Sequence, residues 1–80
     1  MDNNLRIDLM NCYNYRIGCA KDLSKQPGLT DSEILSIHKR LAQCELIADI
    51  IGKESGNYSM KYDFNATEKE ILKRLEREIA

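Results

Sequence analysis

Few residues of this 80-residue chain are equipped for chemistry, and their spacing decides how far each can go. His38 is the single histidine, which excludes a Ser-His-Asp triad or a histidine-rich metal site within one chain. It flanks the contact face of a helix, where a half-exposed position is expected. Cys12, Cys19 and Cys44 are odd in number and form no Cys-x-x-Cys pair. Cys44 stands six residues from His38, on a different side of the helix, so the two are not a metal pair. Cys12 and Cys19 share a face, but two thiols without a third nearby ligand make a poor site, and small apolar packing is their expected role. No metal site and no cofactor are expected. Tyr13, Tyr15 and Arg16 could stack on and pair with a base or nucleotide; tyrosines at the edge of a core are the commoner explanation. No glycine-rich phosphate loop is present.

The carboxylates tell a similar story. Asp31 and Glu33 suit the positive end of a helix dipole. Asp49 is set among Ile47, Ala48, Ile50 and Ile51, where a salt bridge with Arg16 or Lys21 is one reading and a solvated gap in the stripe is the other. No nucleophile–base pair can be assembled from this inventory, so the chain is expected not to be an enzyme.

The elements that must position these residues are mostly helices. Residues 30–51 carry Ile34, Ile37, Leu41, Cys44, Ala48 and Ile51 at spacings of three and four, the seam of an amphipathic helix. Thr30 and Glu33 spell a capping box, with Leu29 and Ile34 placed as a hydrophobic staple. The spacing predicts a helix over residues 31–51, with Gly52 as its C-cap. A first helix is expected over residues 5–24, capped by Asn3 or Asn4. It has one stripe of Met10, Tyr13, Ile17 and Ala20. Its second stripe, Leu5, Leu9, Cys12, Cys19 and Leu23, is interrupted by Arg16. Pro27-Gly28 ends it, and so short a connection folds the second helix back as an antiparallel hairpin.

Residues 58–64 alternate without exception. Tyr58, Met60, Tyr62 and Phe64 fall on one side, Ser59, Lys61 and Asp63 on the other, so an extended segment is predicted. It would pair with its copy in another protomer, be completed by a partner's strand, or cover the hairpin irregularly. Thr67 and Glu70 spell a second capping box, predicting a short helix over residues 68–79 with Ile71, Leu72, Leu75 and Ile79 inward. The expected fold is a single mainly α domain over residues 1–80: a hairpin, an extended segment and a third helix.

The turn and second helix carry a resemblance. Gly28-Leu29-Thr30, Glu33-Ile34-Leu35 and Leu41 are similar to the corresponding stretch of the small sporulation-regulating aspartyl-phosphate phosphatases. The resemblance covers about a quarter of the chain and implies a helical hairpin. That family's signature is Ser-Gln-x-Leu-Asp with a catalytic aspartate. The matching residues here are His38-Lys39-Arg40-Leu41-Ala42, so the serine, the glutamine and the catalytic carboxylate are missing. The resemblance therefore implies the shape without the activity.

Composition narrows the remaining classes. The net charge is −1 and no segment has the basic surplus that binding along duplex nucleic acid needs. No apolar run approaches the roughly 20 residues of a membrane span, and no basic-then-apolar leader opens the chain. With three unpaired-looking thiols, these features predict a cytoplasmic protein. Leu35, Ala42, Leu46, Ile47 and Ile50 lie off the seam of the second helix, more apolar surface than one neighbouring helix covers. The expectation is a small regulatory or inhibitory protein that binds another protein and is itself a homo-oligomer. Leu46, Ile47, Ile50, Tyr58, Met60, Tyr62 and Phe64 are its candidate partner-binding residues. The alternative is a small-molecule or nucleotide binder with a site between protomers around Tyr13, Tyr15 and Arg16.

Overall fold

A computed structural model describes residues 1–79, with side chains through residue 77; the inward placement expected for Ile79 lies outside the described residues. The fold is mainly α. Three helices follow one another: α1 (Asn3–Ser24), α2 (Asp31–Ser55) and α3 (Ser59–Ile79). Helix α1 starts one residue earlier than the asparagines suggest. Asp2, not Asn3 or Asn4, is its N-cap, and Asp2 Oδ1 accepts the Asn4 amide at 3.1 Å. An aspartate also places negative charge at the positive end of the helix.

The start of α2 is built as its sequence spells it. Glu33 N–H donates to Thr30 Oγ1 at 3.2 Å, and Thr30 N–H donates to Glu33 Oε1 at 2.9 Å. The helix does not stop at Gly52. It runs one more turn to Ser55 and is capped by Gly56, which adopts the left-handed conformation at φ 72°. Gly52 serves another purpose: a Cβ there would stand 2.6 Å from Cδ1 of Tyr58, so the missing side chain makes room for the ring as the chain turns into α3.

The predicted extended segment is the main correction. Residues 59–64 are the first turns of α3, not a strand. The Asn57 side chain accepts the Ser59 amide at 3.0 Å, and the Tyr58 carbonyl accepts the Tyr62 amide at 3.1 Å. Thr67 and Glu70 accordingly lie inside a helix and cap nothing. The alternation misleads because Met60 and Phe64, four apart, share a face under either period. Met60, Phe64, Ile71 and Leu75 then continue one helical stripe. A helix satisfies its own amides and carbonyls, whereas a lone strand leaves many of them unpaired.

The core forms along one side of α2. Ile37, Leu41, Cys44, Ala48 and Ile51 are buried with Tyr13 and Ala20 of α1 and with Phe64, Ile71 and Leu75 of α3. Phe64 is fully enclosed. Polar contacts fix the register around it. Cys44 Sγ approaches the Tyr13 carbonyl at 3.7 Å, Arg16 Nε donates to Gln43 Oε1 at 2.8 Å, and the Met1 amine lies 3.9 Å from Glu54. On the other flank Lys61 bridges Asp49 at 3.0 Å and Glu45 at 3.3 Å. Asp49 therefore pairs with α3, not with Arg16 or Lys21 of α1. Arg74 joins Glu70 at 2.9 Å and also donates to the buried Ser24 hydroxyl at 3.2 Å, which ties the end of α1 to α3.

Two glycines separate packing from propensity. Gly52→Ala should destabilise the fold by about 1–3 kcal/mol, the range for overfilling a packed site. Gly18→Ala has nothing within 4 Å of the new Cβ and should stabilise by about 0.5–1 kcal/mol through helix propensity. Urea midpoints of the two variants moving in the same direction would contradict this assignment. At the α2 start, Thr30→Ala should cost about 1 kcal/mol while Ser32→Ala leaves the midpoint within about 0.5 kcal/mol of the parent.

Candidate functional site

The candidate residues separate into three environments. Tyr13 is in the core at 7% exposure and packs toward α2 and α3. Its phenol pKa is pushed up to about 12, first by burial and then by the nearby Cys44 and Asp63. Cys44 beside it is fully buried, and burial raises its thiol pKa to about 11 against a smaller opposing effect of Arg16. Neither group is positioned to meet a ligand. Tyr15, by contrast, is 68% exposed. It lines a surface hollow of about 170 Å³ with Arg16, Arg40 and Gln43. The sequence-predicted trio is thus divided, with Tyr13 inside and Tyr15 and Arg16 outside. Arg40 joins them from α2 because positions 40 and 43 sit on the α1-facing side of that helix. Among the described residues, neither Arg16 nor Arg40 has a carboxylate within 4 Å.

The seven expected partner-binding residues also divide. Phe64 and Ile47 belong to the core, and Met60 is half-buried against it. Burial of Phe64 follows from the helical reading of residues 59–64, which turns Met60 and Phe64 inward and Tyr58 and Tyr62 outward. Tyr62 is 72% exposed and Tyr58 is exposed beside Gly52. Leu46 is 61% exposed and Ile50 is half-buried. These two lie on the side of α2 that α3 does not reach.

There Leu46 meets the second stripe of α1. Leu9, Cys12 and Arg16 of α1 and Gln43, Leu46 and Ile47 of α2 line a shallow apolar depression of about 230 Å³. Leu5 is half-exposed and continues the stripe by one turn, and Cys12 is exposed. Helix α1 thus contributes as much to this outer face as α2 does. The signal was in the sequence: Leu5, Leu9 and Cys12 keep spacings of four and three on a stripe separate from that of Tyr13 and Ala20. Only the position of α3 shows which stripe stays open. Because Met60, Phe64, Ile71 and Leu75 cover the Tyr13 side, Leu5 and Cys12 stay exposed among the described residues, with Leu9 half-buried at the inner edge of their stripe.

The remaining chemistry-bearing groups are dispersed. Among the described residues no three His, Cys, Asp or Glu side chains stand close enough to hold a metal ion. His38 is exposed on α2, away from the buried Cys44. A basic hollow at the α1–α2 turn is lined by Lys25, Arg74 and Arg77, but Arg74 is already committed to Glu70 and Ser24. Among the described residues no helix is long and apolar enough to cross a membrane.

Among the described residues, fold and surface define three helices, with α1 and α2 covered by α3 on one side and open on the other. No protein-family model, curated protein or solved structure matches the chain.

The raised pKa values give an alkaline signature. Both groups favour their protonated forms in the folded state, so their contribution is full below the unfolded pKa and disappears as pH rises through the folded one. For Cys44 that window runs from 9.0 to about 11, and for Tyr13 from 10.0 to about 12. Stability should fall from pH 9 upward, and Tyr13→Phe should flatten the decline above pH 10. A Tyr13→Phe variant whose urea midpoint falls with pH as steeply as the parent's would show that the phenol is not the titrating group.

Proposed function

We propose that this chain is a small non-enzymatic regulatory or inhibitory protein that acts by binding another protein, and that it is itself homo-oligomeric. The observation that carries this reading is the outer face of α1 and α2. Leu5, Cys12 and Leu46 are exposed beside the half-buried Leu9 and Ile50, in a chain whose own third helix is used on the opposite side. Contiguous exposed apolar surface rimmed by polar groups is characteristic of protein contact sites. The shape supports the reading too. Helices α1 and α2 form an antiparallel hairpin, consistent with Met1 lying near Glu54 at one end and Arg16 near Gln43 further along. The exposed Tyr58 and Tyr62 of α3 offer a second, smaller contact, since tyrosines are enriched in interfaces. A cytoplasmic setting agrees with three free thiols.

One observation favours a second reading. Arg16 and Arg40 line a common hollow with Tyr15 and have no carboxylate partner, which suits a phosphate-bearing small molecule or nucleotide held partly by a neighbouring protomer.

Affinity capture from the native host separates the two. The parent chain should retain a protein that Leu46→Asp fails to retain, with the variant's helicity unchanged by circular dichroism. Equal capture by parent and variant would remove the outer face from the interaction. A rise in melting temperature with added nucleotide, abolished by Arg40→Ala, would favour the second reading instead.

A further inference from the structure

We infer that the outer face of α1 and α2 is closed by a second copy of this chain, with each α1 lying antiparallel to its mate and Asp8 of one copy meeting Arg16 of the other. This rests on the reading of that face as a protein-binding surface and names its occupant.

The reason is the distribution of charge along the face. Cys12 and Leu46 line the same depression and mark one level of it. Asp8 lies four residues from Cys12 toward one end, and Arg16 lies four residues toward the other. Spacing of four keeps Asp8, Cys12 and Arg16 on one side of α1. Helix α2 repeats the polarity. Glu54 lies two turns beyond Leu46 at the Asp8 end, and Arg40 lies nearly two turns away at the Arg16 end. Carboxylates therefore mark one end of the face and guanidinium groups the other, with an apolar middle. Three cations also stand at the Asp8 end: Lys53 is exposed, Arg6 shares a hollow with Glu54 and donates to the Asn3 side chain, and the Met1 amine lies by Glu54, so Asp8 is the acidic group left without a partner there.

Within the described residues this polarity has little use inside one copy. Asp8 has no cation within 4 Å, and Arg16 and Arg40 have no carboxylate. Glu54 has only the Met1 amine, at 3.9 Å. A surface with opposite ends of opposite sign is its own complement under a two-fold rotation.

Two such rotations bring the outer faces together. If the axis runs along the helices, α1 of each copy lies over α2 of the other and the basic ends coincide, placing Arg16 and Arg40 of both copies side by side. If the axis runs across the helices at the level of Cys12 and Leu46, α1 meets α1 and α2 meets α2 in opposite directions. Asp8 then faces the second copy's Arg16, and Glu54 faces the level of its Arg40. Leu46 and Cys12 meet their own counterparts near the axis, and Leu5 packs toward the second copy's Cys19. Only the second arrangement pairs opposite charges, and like charges brought together at an interface oppose association. The near-neutral chain, with a net charge of −1, adds little long-range repulsion.

Charge exchange tests the arrangement. Sedimentation equilibrium of the full chain should show a dimer of the 9.2 kDa protomer. Asp8→Arg and Arg16→Asp should each weaken it by roughly tenfold or more, as close interfacial charge pairs do. The double variant carries the pair in reverse and should recover to within about threefold of the parent, the mark of direct coupling. Asp8→Arg leaves the Arg16–Gln43 bond untouched, so it still reports if Arg16→Asp unfolds the protomer. A short bismaleimide should join Cys12 to the second copy's Cys12, and Cys12→Ser should remove that product.

A monomer at all concentrations overturns the inference, and so does a dimer in which the double variant is no tighter than either single one. Should the chain be monomeric while Leu46→Asp still abolishes protein capture, the second copy is excluded and the outer face remains a binding surface. Loss of both effects removes the surface as well.

Discussion

The structure depends on α3 packing against one side only of α2. Phe64 is the residue through which this is achieved. It is enclosed completely, and Ile71 and Leu75 follow it at helical spacing into the same core as Ile37, Leu41 and Cys44. In a chain of 80 residues the core is small, and about 40% of the surface exposed by the unfolded form remains exposed on folding. A third helix placed on one side of a helix pair therefore has a definite cost: the other side of the pair stays apolar and open. The buried seam and the uncovered outer face have one cause.

Polar contacts act on this arrangement as register marks. Lys61 reaches both Asp49 and Glu45, and its ammonium also lies 5.6 Å from the centre of the Phe64 ring. Its pKa is raised, first by the Asp49 hydrogen bond. Exposed ion pairs contribute little stability, but this one joins the first turns of α3 to the middle of α2 and so specifies which turn of α3 lies over Cys44. Gly52 does the same by absence of a side chain, because only there can the Tyr58 ring lie against the α2 backbone. On the α1 side Arg16 is held by Gln43. That bond leaves the guanidinium's positive charge uncompensated at the edge of the outer face, next to Leu46.

The functional reading follows from that asymmetry. Tyr13, one of the three residues of the alternative ligand site, is consumed by the core, and so is Cys44. The groups left outside are apolar side chains flanked by charges of opposite sign at the two ends. Such a surface suits the proposed recognition of a protein by shape and charge.

Much of α2 was decided by its sequence. Thr30 and Glu33 satisfy backbone groups within four residues of themselves, and the Ile37 to Ile51 seam has a single period, so neither depends on the rest of the chain. Helix α1 was equally legible in extent, but its two stripes, Tyr13 with Ala20 and Leu5 with Cys12, are nearly equal in apolar character. Nothing local ranks one above the other; the position of α3 does. Residues 58–64 depend even more on tertiary structure. Their side chains fit period two without exception, yet Met60 and Phe64 fit a helix as well, and the backbone decides between the two. A strand needs a neighbour for its amides and carbonyls, whereas a helix supplies its own and continues into Ile71 and Leu75. The outer face likewise exists only in the folded chain, because the stripe carrying Leu9 and the turn carrying Leu46 are 37 residues apart in sequence and adjacent in space.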